Sequence, residues 1–275
     1  MAPIIQESRM FPNQIAIVPL NETLTEKAKI LAEKLQLPLV ADIKSEATRA
    51  YHFLLVVSPT QLGLQRVSDK KINPFYIDFL SSKLRYRLQQ VGLKKELLAK
   101  ALGCKPKDQP TIIDATAGLA RDSFILASLG FKVTMLERSP VLHVLLADAL
   151  ERAANDAIIG PIVARLTLIH AEAAEWLQSL SLTPGTDPKP LIIYLDPMFP
   201  ERQKTASSKK EMVFLQELLG KDDNSQTLFE AALACDAQRI VVKRPRLAKS
   251  ITTLAPQFSL IGKSSRFDVY LGLKN

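Results

Sequence analysis

The sequence predicts an α/β protein in which a doubly wound, mainly parallel sheet ends in an antiparallel hairpin and is preceded by a small N-terminal α/β unit. Three observations carry this prediction. From residue 111 onward, five short apolar runs (TIIDATAG, KVTMLE, RLTLIH, LIIYLD and RIVVKRP) alternate with segments of helical period. Strands separated by helices imply a parallel sheet. The final stretch, FSLIGKSSRFDVYLGL, reads as two strands of a hairpin. In LIIYLDPMFPERQK, residues 191–204, an apolar and aromatic run ends abruptly at Asp196, and Pro197 and Pro200 bracket Met198 and Phe199. That pattern is a buried strand delivering a carboxylate to its carboxyl end, followed by a stiff turn that holds an aromatic ring beside it.

The elements follow in order. Residues 14–20 (QIAIVPL) read as a strand, and Asn21 or Thr23 is placed to cap the helix TLTEKAKILAEKLQL. LPLVA and HFLLVVS read as two more strands, which completes a small α/β unit over residues 1–80. From Phe79 to Leu102 the pattern is helical, broken near Gly92, with Gly103 as a C-cap. KPKDQP at 105–110 is polar and proline-bearing, so residues 81–110 form a basic helical segment and linker. Residues 111–275 form the main domain. Its helices are DSFILASLG, ended by Gly130; PVLHVLLADALERAAND, with Pro140 in the first turn; the short AEWLQSL; and then EMVFLQELLG and SQTLFEAALAC.

Composition narrows the function. The chain has 275 residues and is 47% hydrophobic, enough for a large core. No apolar run reaches membrane-spanning length and no signal peptide is visible, so a soluble cytoplasmic protein is expected. Cys104 and Cys235 stand apart, and His52, His143 and His170 have no metal-ligand spacing, so neither a disulfide framework nor a metal site is expected. The net charge of +8 favours an anionic partner. Arg85 and Arg87 lie in a basic segment with a single acid, Glu96, a pattern that a solvated helix face also produces. Arg202, Lys204, Lys209 and Lys210 follow the proline turn, and Lys243 and Arg244 follow the run RIVV. Both of these clusters lie just past a strand end, where a phosphate-binding surface belongs.

The strand ends carry the chemistry. The first strand runs into DATAGLARD, whose only glycine, Gly118, makes this a poor pyrophosphate cradle. A cofactor without phosphate needs less backbone approach, and an acid such as Asp114 suits an ammonium group, so S-adenosylmethionine fits. An ordinary strand–helix connection gives the same turn. Glu137 ends the second strand, 19 residues after Gly118, the place from which an acid binds ribose hydroxyls. The third strand ends at His170, with Glu172 and Ala173 just past it, and Asp196 ends the fourth. An acid, a rigid bend and an aromatic face on one rim suit an enzyme acting on a flat, amine-bearing ring such as a nucleobase.

Taken together, DATAGLARD, LERSP, IHAEA, YLDPMFPERQK…KKEM, VVKRP and RFDVY resemble the bacterial small-subunit ribosomal RNA methyltransferase J family, over roughly residues 75–272. The resemblance implies a Rossmann-like class I methyltransferase sheet that uses S-adenosylmethionine to methylate the exocyclic N2 of a guanosine in 16S rRNA. It carries the family's cofactor contacts onto Arg121, Asp122, Glu137, Arg138, Glu172, Ala173 and Asp196. Glu172-Ala173 departs from the small hydroxyl or Asp residues common there, so a contact is expected through the Glu172 backbone. The family's glycine-rich stretch is reduced to Gly92. In the expected reaction Asp196 and the Pro197 carbonyl accept the amine's two N–H bonds. Phe199 either stacks on the base or packs as a core aromatic under its loop, and the basic residues hold the RNA backbone. Two other readings remain: an enzyme of the same fold acting on DNA or protein amines, or a non-catalytic RNA-binding assembly factor.

Overall fold

A computed structural model describes residues 14–69, 73–90, 96–181, 190–197, 217–219 and 224–272. The chain divides into two compact units, Met1–Asp78 and Phe79–Asn275.

In the first unit, β1 (Ile15–Pro19), α1 (Thr25–Leu35), β2 (Phe53–Val57) and β3 (Leu62–Arg66) build a three-stranded sheet of order β1-β2-β3. β1 runs parallel to β2, and β3 is antiparallel to it. Every residue of β1 and β2 is buried, as their continuous apolar sequences require. Two sequence expectations are corrected here. LPLVA is not a strand: only Leu39 bridges to Ile17, because Pro38 has no N–H with which to extend a ladder. The third strand is LGLQR instead, whose glycine and polar end hide its pattern. Neither Asn21 nor Thr23 caps α1. Thr23 Oγ1 donates to Asn21 Oδ1 at 2.7 Å, and residues 22–24 form a 3-10 turn that leaves Leu24 as the N-cap residue.

The second unit opens with α2 (Ser82–Gln90) and α3 (Leu97–Leu102), the latter closed by Gly103 at φ +66° in the left-handed region. The alternation expected from the sequence follows: β4 (Thr111–Asp114), α4 (Arg121–Ser128), β5 (Val133–Glu137), α5 (Pro140–Ala154), α6 (Gly160–Val163), β6 (Leu166–His170), α7 (Ala173–Ser181), β7 (Leu191–Leu195), α8 (Ser225–Ala234), β8 (Arg239–Pro245), β9 (Phe258–Ile261) and β10 (Ser265–Leu271). The short α6 is an addition that sequence reasoning did not foresee, and the expected helix EMVFLQELLG lies mostly outside the described residues. Its seven-stranded sheet has the order β6-β5-β4-β7-β8-β10-β9. The first five strands in that order are parallel, and β10 is antiparallel to both β8 and β9. The terminal hairpin therefore turns inward. β10 buries Phe267, Asp268, Val269 and Tyr270, whereas β9 exposes Phe258 and Ile261 and forms the edge.

This order fixes where a ligand can sit. From β4 the chain winds outward through β5 to β6, then returns to place β7 on the other side of β4. A crevice opens at the carboxyl ends of the strands where the winding reverses, between β4 and β7. One face of the sheet beneath it packs Ile113, Ile193, Leu195 and Val242 against Leu177 of α7 and Phe229 and Ala232 of α8. Phe229 meets Tyr270 edge-on at 4.8 Å between ring centroids. α5 reaches α6 through a tight corner at Gly160, where an added Cβ would lie 2.3 Å from the Ala154 carbonyl oxygen. That oxygen belongs to the backbone and cannot step aside. Gly160→Ala is expected to lower unfolding free energy by about 1–3 kcal/mol, the range for overpacking a filled site, and a urea melt checks it. An unchanged midpoint would show that the corner relaxes freely.

Candidate active site

The rim of the sheet is built from acids, of which Asp114 and Glu137 have been taken out of water. Asp114, at the end of β4, is only 2% exposed. Its Oδ2 accepts from Ser123 Oγ at 2.5 Å and its Oδ1 from the Thr116 N–H at 3.1 Å. Burial pushes its pKa up to about 7 against these hydrogen bonds. Asp114 thus anchors the 115–120 turn from below. The turn crosses the left-handed region twice, at Gly118 (φ +54°) and Ala120 (φ +52°). In front of Gly118 the space is open: an added Cβ would find only the Thr116 carbonyl oxygen, at 3.8 Å.

Glu137, at the end of β5, clamps the same turn from the side. Its Oε2 accepts from the Gly118 N–H at 3.1 Å, and its Oε1 accepts from the Ser139 N–H at 2.7 Å. Ser139 in turn caps α5 by accepting from the Leu142 N–H at 3.3 Å. Burial pushes the Glu137 carboxyl up to about 7 as well, with the two backbone donors pulling the other way. The charge of Arg138 also pulls that pKa down, and its Nη1 lies 3.9 Å from Glu172 Oε2.

Asp196, just past β7, closes the rim. Its N–H donates to Thr116 Oγ1 at 2.6 Å, which ties the β7 end to the β4 turn. Its Oδ2 accepts from Lys243 Nζ of β8 at 2.8 Å. The same ammonium reaches Asp122 Oδ2 in the first turn of α4 at 2.6 Å, and the Tyr194 hydroxyl also donates to that oxygen at 2.6 Å. Burial opposes the charge on Asp122, but Lys243 and the two hydrogen bonds prevail and hold its carboxyl below the ordinary value. Burial likewise opposes the charge on Lys243, yet the two carboxylates hold the ammonium well above the usual lysine range.

Between these groups lies a cleft open to solvent. Of the expected residues it is lined by Gly118, Glu137, Arg138, Glu172, Ala173, Asp196 and Pro197; Thr116, Leu142 and Leu228 join them. Asp114, Arg121 and Asp122 are not among its lining residues. Asp114 lies under the turn, Arg121 is exposed, and Asp122 is held by Lys243. Thr116 and the hydroxyl of Tyr194 escaped sequence reasoning. Their partners are 80 and 72 residues away, and only the sheet order brings them together.

The basic residues fall into three groups. Arg85 pairs with Asp156 at 2.6 Å, and Arg87 lies 4.0 Å from Glu96; both side chains keep substantial exposure. Lys243 and Arg244, expected to hold RNA backbone, are engaged inside the protein instead. Arg244 is 5% exposed and donates to the Lys249 carbonyl. It shares a strand face with Ile240 and Val242, so the two-residue period of β8 turns it inward. Burial, then Arg266, pushes its pKa down to about 10. Arg266 itself pairs with Asp268 at 2.9 Å, a structural contact away from the cleft. Phe199, Arg202, Lys204, Lys209 and Lys210 lie outside the described residues. Among the described residues no helix is long and apolar enough to cross a membrane.

The residues suit an adenosine bearing an amino-acid tail. A buried carboxylate ends β5, the backbone at Gly118 is open to approach, and the Leu142 and Ala173 walls are apolar. Comparison with known proteins agrees. The family described as "Putative SAM-dependent methyltransferase" matches residues 38–272. A ribosomal RNA small subunit methyltransferase J of Thioalkalivibrio sulfidiphilus is 41% identical over 262 residues, covering 95% of this chain and 99% of its own. The protein of the same name from Pseudomonas aeruginosa is 40% identical over 257 residues, covering 94% of each. The crystal structure of a SAM-dependent methyltransferase from Neisseria gonorrhoeae superposes with a TM-score of 0.71 at 33% identity, over 94% of this chain and 97% of that one.

The Glu137 carboxyl sets a pH dependence. Its neutral form predominates below about 7, and only the ionised form accepts hydrogen bonds from two hydroxyls at once. Affinity for S-adenosylmethionine is therefore expected to rise as pH climbs through about 7. Folding stability runs the other way. The native carboxyl keeps a proton that the unfolded chain has released, so this group's contribution falls from the ordinary carboxylate range up to about 7 and is level above it. Glu137→Gln should flatten the binding profile and cost about 1–3 kcal/mol of affinity at alkaline pH. Calorimetry across the pH range measures both, and a wild-type affinity independent of pH would exclude the Glu137 contact.

Proposed function

The chain belongs to the ribosomal RNA small subunit methyltransferase J family of S-adenosylmethionine-dependent enzymes, and we propose that it methylates the exocyclic N2 of a guanosine in 16S rRNA of the small ribosomal subunit. The observation that carries this reading is Asp196. Its main chain is fixed at the mouth of the cleft by Thr116 and its carboxylate by Lys243. We place the reaction in the cytoplasm, where the small subunit is assembled.

Glu137 would hold the ribose and the Gly118 backbone would admit the adenosine, with Arg138, Glu172 and Ala173 bordering it. Held there, S-adenosylmethionine would supply a methyl group on a sulfonium, to be displaced in line by the amine lone pair with sulfur keeping the C–S electron pair, and the amine's surplus proton would go to Asp196 or to water. The guanine amine is a weak nucleophile, because its lone pair is delocalised into the ring. Asp196 would accept one of its N–H bonds and the Pro197 carbonyl the other, which localises that lone pair along the line of attack. Phe199 would stack on the base once it is drawn out of the RNA. Arg85, Arg87, Arg202, Lys204, Lys209 and Lys210 would hold the flanking phosphates. Arg244 and Lys243 are left out of that surface, because both are engaged within the fold.

Asp196→Ala should lower turnover on the order of 100- to 1,000-fold while RNA affinity changes little, since it removes an acceptor aimed at the reacting amine. Asp196→Asn keeps one acceptor oxygen and the shape. It should retain substantial rate if geometry alone matters, and fall close to Ala if the charge matters. Methyl incorporation into RNA from cells lacking the enzyme, with the product nucleoside identified by mass spectrometry, is the assay. Methyl transfer to DNA or protein in its place would overturn the choice of substrate.

A further inference from the structure

We propose that Lys243 is the positioning residue of the transfer site: by bridging Asp122 and Asp196 it sets the orientation in which the Asp196 carboxylate meets the amine. The inference rests on the role given to Asp196 above and deepens it. Lys243 stands beside the end of β7 because β7 and β8 pair in parallel, with Leu195 opposite Val242. One strand step further, its ammonium reaches Asp196 Oδ2 at 2.8 Å and Asp122 Oδ2 at 2.6 Å. The far end of the bridge is itself fixed, since Tyr194 donates its hydroxyl to the same Asp122 oxygen at 2.6 Å. The near end is fixed at the backbone, where Asp196 donates its N–H to Thr116. Asp196 is thereby held by its main chain from β4 and by its side chain from β8. A carboxylate that must present one oxygen to an in-line attack needs both constraints, because a misplacement of about 1 Å is enough to cost on the order of 100-fold in rate.

The bridge also sets charge. The charged and titratable groups that face it among the described residues include Asp114 from β4, Asp122 from α4, Tyr194 from β7, Asp196 just past β7, and Arg87 from α2. A largely desolvated ammonium is stabilised by pairing, and here two carboxylates pair with it. Removing it takes the shared counter-charge from Asp122 and Asp196 and leaves their like charges facing one another, so Asp196 would take up a proton at higher pH. Positive charge grows on the amine as the methyl arrives, and a neutral Asp196 would no longer stabilise it.

The test is steady-state methylation of small-subunit RNA by the full chain across pH, with wild type, Lys243→Met and Lys243→Arg. Lys243→Met should lower kcat on the order of 100-fold, with KM for RNA changed less than about threefold and S-adenosylmethionine affinity retained. The acid limb of its rate profile should move up by about one pH unit. Lys243→Arg keeps the charge and should restore the limb, though not the full rate, because a longer, planar guanidinium cannot place one nitrogen where the ammonium meets both acids. A kcat in Lys243→Met within about threefold of wild type overturns the proposal. So does a loss of rate with an unmoved acid limb, which would mark Lys243 as a clamp of the fold alone. If Lys243→Met does not fold, Lys243→Gln carries the same expectations. If the wild type transfers no methyl to RNA, the substrate reading fails by itself. The bridge is then judged without RNA, by the carbon-13 titration of the Asp196 carboxyl: a rise in the lysine variant upholds it and an unchanged titration overturns it.

Discussion

Acids gathered at the carboxyl ends of parallel strands, Asp114 and Glu137 buried and Asp122 and Asp196 partly so, are the constraint on which the rest of this site depends. An ionised group removed from water is tolerable only with hydrogen-bond donors or a counter-charge. Each acid here finds its partners on a different element. Asp114 takes Ser123 of α4 and the Thr116 amide, Glu137 takes the amides of Gly118 and Ser139, and Asp196 and Asp122 share Lys243 of β8. Satisfying the acids therefore locks the turn after β4 to β5, to β7 and, through Lys243, to β8. The cleft is a by-product of that locking. Its floor is a turn held from three sides, which leaves the backbone in front of Gly118 as the place a ligand can approach.

Much of this was legible in the sequence, for a physical reason. Strands buried on both faces read as unbroken apolar runs, and such a run ends where the chain leaves the core. Glu137 and Asp196 could be placed on one rim because each is the first charged residue after a run. The inward-turned hairpin and its edge were legible only in part, since the sequence marks two strands without saying which one pairs with β8. What could not be read were contacts set by sheet order. Nothing local to Lys243 tells that Asp122, 121 residues earlier, will stand beside it, and a lysine past a strand end looks like a phosphate ligand. Arg244 was misread for a related reason. The run RIVVKRP already reads as one strand, but its basic residues look as though they lie past the apolar RIVV part, whereas the strand alternation continues through them and turns Arg244 inward. In the first unit, LPLVA has the composition of a strand but its proline cannot donate to a ladder, while LGLQR pairs fully with β2 despite a glycine.

The distribution of charge explains how one rim can serve two ligands of opposite sign. The chain carries a net charge of +8, yet the groups walling the cleft include Glu137, Glu172 and Asp196. A sulfonium with an ammonium tail is cationic and suits the acidic wall; an RNA backbone is anionic and suits the basic residues outside it. Asp196 stands at the boundary, and a lone carboxylate there would repel the phosphates as readily as it attracted the amine. Its pairing with Lys243 moderates that conflict. The three charges of Asp122, Lys243 and Asp196 sum to a single negative charge, and the ammonium is placed on the β8 side of the Asp196 carboxylate. The same arrangement accounts for the difference between neighbouring residues of one strand. Lys243 faces the rim and sets its charge, whereas Arg244 faces the core and braces the loop that follows β8 through the Lys249 carbonyl. A two-residue strand period thus separates electrostatic control of the site from support of the fold, within a single dipeptide.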